Sequence, residues 1–354
     1  MPHMKQIGAP TRRFGPDFVE AHRRRYGDRP AQQRQLTYDI AVLDEYAPWR
    51  DWLDQQLALL PPHKADKLAR KWVLDEHFWP VMFELATGAG LRAAGLNVAY
   101  EREFDDLTPD WTVLSDSGDP VCLVEVHTHS PPKETFGQMR AWHGLVGRIR
   151  EIPVSVVLVL AAQGGPVQPP SPRIAKKIAQ DLRLELLRPE RRPRFTSHGY
   201  TFVVLAGPAG GGTMPSPWGL HACFEPPSGI AGPVSARQLA AKVEDKVRKY
   251  GDLADALGVP LLLAVGAHRF TGVTLEQLDN LLGGTPTLTF QFNLGDRWIG
   301  ESTVNLGRPE QWAMPAELAG MLWVDNQMPF GMAWRPNPDA RRPVPAALGV
   351  ALES

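Results

Sequence analysis

Cysteine is nearly absent from this chain, and long apolar runs are missing altogether. Cys122 and Cys223 are the only two cysteines among 354 residues, which argues against a disulfide framework and against a zinc site built from cysteines. No apolar run approaches the ~20 residues that a membrane-spanning helix requires. The first 25 residues are rich in arginine and lack a secretory signal pattern. We therefore expect a cytoplasmic protein with no membrane partner.

A strong net charge is also lacking, since 38 Lys and Arg residues against 39 Asp and Glu residues give a formal charge of −1. The whole-chain charge therefore does not identify a nucleic-acid-binding protein, and contacts with DNA would have to use local basic patches. Solvated helix faces and loops explain such runs more often than DNA contacts do. The candidate patches are Arg12 and Arg13, the run Arg23 to Arg25, the pair Lys176 and Lys177, and the cluster Arg188, Arg191, Arg192 and Arg194.

Several motifs that define enzyme classes are missing. The glycine-rich segment from Gly207 to Gly212 lacks the Gly-Lys-Ser/Thr ending with which a P-loop holds phosphates. It predicts a loop between strands, so we expect no nucleotide cofactor. The sequence contains neither a Gly-x-Ser-x-Gly elbow nor a His-Glu-x-x-His motif, which leaves serine hydrolase and zincin chemistry without support.

The periodicity of the sequence predicts an α/β protein. Residues 1 to about 35 lack a clear period and predict an extended arm, and helices are expected over Thr37 to Leu60 and Lys64 to Thr87. The apolar run from Val154 to Leu160 predicts a buried strand beside the strands of the site described below. After a Pro-rich stretch the pattern of helices and strands resumes, and residues from 285 onward are expected to wrap onto the core.

Three carboxylates occur in a helix, strand and hairpin context between Phe78 and Thr128. Glu84 lies on a largely apolar helix, and the alternating segment from Asn97 to Phe104 predicts a strand. Asp110 precedes a second strand, and a turn-forming segment then predicts a return strand that ends near Glu125. This antiparallel pairing can bring Asp110 and Glu125 together.

Histidines continue the same strand. Period-two alternation places Glu125, His127 and His129 on one face if the strand stays regular. Mg²⁺ binds one or two protein carboxylates together with waters and phosphate oxygens, so it would offset the cost of holding these acids close together. His127 could be a metal ligand, a neutral or cationic replacement for a lysine, or a hydrogen-bonded residue at the strand end. A separate metal site built from His127 and His129 is a further possibility.

The order Glu84, then Pro109-Asp110, then Glu125-Val126-His127 after a hairpin resembles the PD-(D/E)xK restriction-endonuclease-like superfamily. The resemblance implies a mixed-sheet core flanked by helices, with a helical lead-in before it and a second α/β half after it. It also implies that Asp110 and Glu125 bind Mg²⁺ or Mn²⁺, with Glu84 as an auxiliary acid. The family usually has a lysine where this chain has His127.

Later segments resemble a group of bacterial proteins of about this length that have a nuclease-like amino-terminal half. The resemblance runs from about residue 70 to the end, through a helix at Pro172 to Leu187, a Lys-rich helix containing Lys246 and a closing segment from Trp334 to Ala340. Lys246, at helical spacing from Lys242 and Lys249, could supply the displaced cation or contact a DNA phosphate. The alternative for this lysine face is ordinary pairing on the helix surface, such as Lys249 with Asp245.

We expect four consecutive regions: an arm and helical lead-in at 1–65, a nuclease-like core at 66–163, a second α/β half at 164–285 and a closing segment at 286–354. The leading hypothesis is a metal-dependent endonuclease that hydrolyses DNA. Analogy with the superfamily suggests a role in defence against foreign DNA. The alternative is an inactive nuclease-like scaffold that binds nucleic acid, a protein partner or a second copy of itself. Retention of all three acids favours the enzyme, but the nuclease hypothesis fails if the oxygens of Glu84, Asp110 and Glu125 do not converge on one cation-sized space.

Overall fold

The fold is described from a computed structural model. The structure describes residues 12–29, 33–133, 135–161, 167–205, 222–226, 236–268, 271, 273–283, 287–294, 297–305 and 312–353, and the glycine-rich segment from Gly207 to Gly212 lies outside them. The helices are α1 (Pro16–Tyr26), α2 (Tyr38–Val42), α3 (Ala47–Ala58), α4 (Pro62–Trp72), α5 (Asp75–Ala93), α6 (Thr135–Arg150), α7 (Pro172–Leu186), α8 (Ala236–Leu257), α9 (Leu275–Gly283) and α10 (Ala346–Glu353), with a 3₁₀ turn at Asp44–Tyr46.

The strands of the described residues form three sheets. A six-stranded sheet has the order β1-β2-β3-β8-β11-β12, a four-stranded sheet has the order β5-β6-β4-β7, and β9 pairs with β10. The strands are β1 (Asn97–Tyr100), β2 (Trp111–Leu114), β3 (Pro120–His129), β4 (Val156–Leu160), β5 (Arg194–Ser197), β6 (Tyr200–Leu205), β7 (Ala222–Glu225), β8 (Leu261–Ala267), β9 (Thr287–Leu294), β10 (Arg297–Asn305), β11 (Leu318–Val324) and β12 (Met332–Pro336). The predicted α/β class is thus confirmed at the level of a mixed sheet with helices.

One of the two neighbours of β3 was predicted wrongly, whereas β2 pairs with it antiparallel as expected. The strand β4 does form within the predicted run, but it belongs to the four-stranded sheet. Beside β3 lies β8, parallel to it, with Glu125 opposite Leu263 and His127 opposite Val265. The sequence of an apolar strand does not specify which strand it pairs with, and β4 was assigned to β3 only because the two are close in the sequence. The closing segment likewise does more than wrap onto the core, because β11 pairs in parallel with β8 and antiparallel with β12.

The expectation of an extended arm over residues 1 to about 35 is wrong for Pro16–Tyr26, which form the helix α1; residues 1–11 and 30–32 lie outside the described residues. Within α1, Phe18, His22 and Tyr26 recur every four residues and form ring contacts with one another. His22 is buried, and the Arg23 to Arg25 run beside it obscured this stripe in the sequence. The segment before α1 is also hydrogen-bonded to α3, because the backbone N–H of Phe14 donates to Asp54 Oδ2 at 3.2 Å.

Three other predicted elements differ from the structure in their bounds. The helix expected over Thr37 to Leu60 is divided into α2, the 3₁₀ turn and α3, and the one expected over Lys64 to Thr87 is divided into α4 and α5. The strand β1 ends at Tyr100 because Glu101 has a positive φ of 47°, a left-handed conformation that stops an extended strand.

Helix α5 packs closely on one face of the six-stranded sheet through two glycines. A Cβ atom at Gly88 would lie 2.1 Å from the Trp111 ring, and one at Gly266 of β8 would lie 2.3 Å from the Phe83 ring. Side chains at these positions would push the helix and the sheet apart. The aromatic rings of Phe83 and Trp111 therefore fill the space that the glycines leave.

Helix α8 packs on the odd-numbered residues of β3 and β8, whereas Gly266, which contacts α5, is even-numbered. A cluster of buried residues joins α8 to β3, β8 and β11. Burial of such apolar surface stabilises the contact by roughly 25 cal/mol per Å². Its members include Leu239, Val243, Val247 and Tyr250 of α8, Leu123 of β3, Leu261, Leu263 and Val265 of β8, and Met321 of β11.

The chain divides into two compact units, each made from two separate stretches. Unit 1 comprises 1–81 and 131–232, and unit 2 comprises 82–130 and 233–354. Unit 1 contains the four-stranded sheet, and unit 2 contains the six-stranded sheet with all five predicted site residues. The region boundaries at residues 65, 163 and 285 remain predictions about the order of segments along the chain.

Candidate active site

Asp110 and Glu125 lie side by side because of the β2–β3 register. Trp111 pairs with Val124, so Asp110, one residue earlier, lies opposite Glu125. The Asp110 N–H donates to Glu125 Oε2 at 3.3 Å, and the Val126 N–H donates to Asp110 Oδ2 at 2.7 Å. The hairpin thus brings the two carboxylates together, as the sequence predicted.

The turn that joins these strands explains how a short sequence fixes that geometry. Gly118 adopts φ 86°, a conformation that glycine accepts without strain. Its N–H donates to the Ser115 carbonyl at 3.0 Å, and the Asp119 N–H donates to Ser115 Oγ at 3.1 Å. The register of the hairpin, and with it the meeting of the acids, is therefore set locally.

A lysine from a helix that is distant in the sequence contacts one of the two acids. Lys246 of α8 donates from Nζ to Glu125 Oε1 at 2.5 Å. The Glu125 side chain is only 4% exposed and that of Lys246 is 32% exposed, so the ion pair is largely shielded from water. The apolar positions Val243, Val247 and Tyr250 hold α8 against the sheet and thereby fix where the lysine reaches.

Asp110, Glu125 and Lys246 lie close enough together for the charge of Glu125 to affect the pKa values of Asp110 and Lys246. Burial raises the pKa of Asp110 well above its usual value, and the nearby charges of Glu125 and Glu84 raise it further. For Lys246, burial lowers the pKa, but the Glu125 carboxylate outweighs this effect and the pKa is raised overall. Lys246 is therefore a cation at neutral pH, held beside two acids whose proximity is otherwise unfavourable.

Glu84 is tied to the sheet by different contacts. Tyr100 donates from its hydroxyl to Glu84 Oε2 at 2.7 Å, and Trp111 donates from Nε1 to the Glu84 backbone carbonyl at 2.8 Å. Burial and the Glu84 charge raise the pKa of Tyr100, so the phenol remains a donor. Glu84 thus influences Asp110 through its charge, while its carboxylate oxygen is engaged by Tyr100.

Convergence of three acids on one space is not found within the part of the chain that the structure describes. There, no group of three or more His, Cys, Asp or Glu side chains is arranged to hold a metal ion. Asp110 and Glu125 are brought together, and the role of Glu84 as a third ligand remains a prediction. The same observation gives no support to a separate metal site on His127 and His129.

His127 and His129 lie on the face of β3 that Glu125 occupies. Their ring centroids are 6.1 Å apart, and in each ring Nε2 is buried and forms no hydrogen bond with the described residues. Burial, followed by the charges around it, including that of Lys246, lowers the pKa of His127 to about 4. His127 is consequently neutral at pH 7, and the cation of this site is Lys246.

Tyr250 adjoins the lysine face of α8 in the sequence, and the structure adds its contacts near the site. It lies one helical turn after Lys246, donates from its hydroxyl to the Thr108 carbonyl at 3.2 Å and accepts from Lys249 Nζ at 2.8 Å. Burial, Glu125 and Asp110 all raise its pKa. The i, i+4 spacing from Lys246 was a usable signal, because residues at that spacing share a helix face.

The residues present fit a divalent cation with oxygen ligands. Mg²⁺ in proteins is commonly bound through one or two carboxylates and completes its shell with waters and phosphate oxygens. Asp110 and Glu125 supply two neighbouring carboxylates. Burial, and then the charges of Glu125 and Glu84, raise the pKa of Asp110, and a bound cation would offset both effects. The donor set is hard oxygen, which suits Mg²⁺ or Mn²⁺.

Comparisons with known proteins add no relatives. No model of a known protein family matches the chain, and no significant match is found among curated proteins or among solved structures. The geometry of the site is therefore the basis for any functional conclusion. Within the described residues, no helix is both long enough and apolar enough to cross a membrane.

Proposed function

We propose that this chain is a metal-dependent endonuclease that hydrolyses DNA phosphodiester bonds, with Asp110 and Glu125 as the ligands of Mg²⁺ or Mn²⁺. The observation that carries the proposal is the contact between Lys246 and Glu125. Together with the neighbouring Asp110, this contact groups two acids and a protonated lysine, which is the set that the PD-(D/E)xK resemblance implies. In this form the proposal does not require Glu84 as a third ligand. We further propose that the six-stranded mixed sheet belongs to the restriction-endonuclease-like fold.

Each residue has a distinct role in this proposal. Asp110 and Glu125 bind and orient the cation, and the Val126 N–H holds Asp110 in place. When bound, the cation would lower the pKa of its water and offset negative charge on the phosphate. Lys246 orients Glu125 and is placed to stabilise negative charge that develops on a phosphate beside it. Glu84 remains an auxiliary acid, and His127 a neutral neighbour that could hydrogen-bond substrate.

The proposed localisation rests on the sequence composition, and the proposed biological role rests on the resemblance. We propose that the enzyme acts in the cytoplasm and takes part in defence against foreign DNA. The PD-(D/E)xK superfamily is the sole support for the defence role, and fold-level analogy does not specify function.

The test is cleavage of supercoiled plasmid and of single-stranded DNA with Mg²⁺ or Mn²⁺. Asp110→Asn and Glu125→Gln keep the side-chain shape and remove the charge, so each should reduce metal-dependent nicking by about 100-fold or more. Asp116→Asn is the matched control, because Asp116 is an exposed carboxylate in the same hairpin. Nicking that survives in both site variants would refute the assignment, as would absence of cleavage with either metal.

An inactive scaffold is the second candidate, and one observation favours it. Lys246 already neutralises Glu125, and backbone N–H groups already serve Asp110 Oδ2 and Glu125 Oε2, so the acids are accommodated without a cation. Binding of Mn²⁺ measured by isothermal titration separates the two candidates. The enzyme requires binding that Asp110→Asn abolishes, whereas the scaffold predicts no such binding.

A further inference from the structure

The near-zero charge of the chain conceals two units of opposite charge. Unit 1 contains 25 Lys and Arg residues against 17 Asp and Glu residues, a formal charge of +8. Unit 2 contains 13 against 22, a formal charge of −9. The unit that holds the candidate active site is therefore strongly acidic, and it is poorly suited to attract a polyanion by its overall charge.

The positive charge of unit 1 is concentrated on α7 and the segment after it. Residues 172–194 contain eight Lys and Arg residues against three Asp and Glu residues. Helical spacing divides α7 into two faces: Ala175, Ile178, Leu182 and Leu186 are buried on one. The exposed face, which we call the α7 basic face, comprises Arg173, Lys176, Lys177, Gln180, Arg183, Leu184, Leu187 and Arg188.

Most of these cations are not engaged by acids. Arg188 forms an ion pair with the buried Glu185 at 3.0 Å, and Arg192 lies 3.6 Å from the same carboxylate. Among the residues that the structure describes, no ion pair involves Arg173, Lys176, Lys177, Arg183, Arg191 or Arg194. A solvated helix face of a stable protein usually alternates charges of both signs, so this concentration of unpaired positive charge calls for an anionic partner.

We infer that the α7 basic face, together with Arg191 and Arg194, binds the sugar-phosphate backbone of duplex DNA. The helical part of the face, from Arg173 to Leu184, spans about 17 Å, and Leu187 and Arg188 follow the end of the helix. Duplex DNA carries one charge per ~1.7 Å of its axis, and neutralising several phosphates releases counterions that drive binding. Arginine adds bidentate contacts to phosphate oxygens. The choice of DNA among polyanions rests on the proposed function.

The composition of the face favours duplex over single-stranded DNA. Proteins that hold single strands present aromatic rings on which bases stack, and the α7 basic face contains no aromatic residue. Long flexible cations without aromatic rings can contact phosphates but cannot read unstacked bases. The surface should therefore bind duplexes of different sequence with similar affinity.

The test compares two triple variants by fluorescence anisotropy with a labelled duplex, in the absence of divalent metal. Arg173→Gln, Lys176→Gln and Lys177→Gln remove three charges from the α7 basic face. Lys67→Gln, Arg70→Gln and Lys71→Gln remove three charges from the exposed side of α4, which is also in unit 1, and serve as the matched control. Dissociation constants are measured over a range of salt concentrations, and circular dichroism confirms that both variants are folded.

We expect the α7 variant to bind at least about tenfold more weakly at 0.15 M salt and to lower the slope of log K against log salt by about 2 to 3. The α4 variant should change both quantities little. Equal losses in the two variants, or an unchanged slope for the α7 variant, would overturn the inference. So would a loss of binding to vesicles of anionic lipid with DNA binding intact, because the face would then be a membrane-binding surface.

Failure of this inference is distinguishable from failure of the proposed function. DNA binding that depends on α7, in a protein that cleaves no DNA with either metal, would support the surface and refute the enzyme. Cleavage that Asp110→Asn abolishes, together with binding that the α7 variant leaves intact, would support the enzyme and refute the surface.

Discussion

Replacing Lys246 by alanine removes the cation that offsets two buried acids. At 2.5 Å from Glu125 Oε1, the attraction amounts to about 7 kcal/mol at an effective dielectric constant of 20, before the cost of desolvating both charges is subtracted. Removing one partner of a fully buried pair costs roughly 3 to 5 kcal/mol, and exposed pairs contribute ~0 to 1 kcal/mol. Because Lys246 is 32% exposed, we expect a loss of about 2 kcal/mol in the free energy of unfolding.

The assay is equilibrium urea unfolding followed by tryptophan fluorescence. Lys242→Ala is the matched control, since Lys242 lies one turn earlier on α8 and pairs only loosely with the exposed Asp245 at 3.6 Å. Its removal should cost less than about 0.5 kcal/mol. If Lys246→Ala is no more destabilising than Lys242→Ala, then Lys246 does not stabilise the buried carboxylates, and the reasoning behind the site is refuted. A cation that binds the folded state should stabilise Lys246→Ala more than the unchanged protein.

Two further predictions concern stability. Burial, and then the charge of Arg25, lower the pKa of His22 in the folded protein. As pH falls below about 6.5, this histidine is therefore protonated in the unfolded chain before it is protonated in the folded protein. The free energy of unfolding then decreases by up to ~1.4 kcal/mol per pH unit. His22→Phe should reduce this loss between pH 7.5 and 5.5, and an unchanged pH dependence of urea unfolding would contradict it. Gly88→Ala should lower the free energy of unfolding by roughly 2 kcal/mol or more, because the added Cβ would lie 2.1 Å from the Trp111 ring. Gly147 is a helical position with open space around it, so Gly147→Ala should raise the free energy of unfolding by up to about 1 kcal/mol. Similar effects of the two changes would refute the close approach of α5 to the sheet.

Much of the site could be read from local sequence. The turn after β2 fixes its own register, and period-two alternation placed Glu125, His127 and His129 on one face, so the meeting of Asp110 and Glu125 followed from residues close in the chain. The Lys-rich spacing of α8 was also visible, although the resemblance, and not the spacing, singled out Lys246 among its lysines as a candidate cation. What spacing could not supply was the distance of that lysine from Glu125.

Tertiary structure decided the remaining features. Apolar strands pair through backbone groups that are the same for every residue, so the sequence could not identify β8 rather than β4 as the parallel neighbour of β3. The charge of a histidine depends on its burial, and only packing revealed that His127 is neutral while Lys246 is charged. The sequence by itself determined the α/β class and the local pairing of two acids, because short-range periodicity and turn chemistry govern both. The fold alone decided which cation meets those acids and which basic helix face remains exposed, because long-range packing determines burial and proximity.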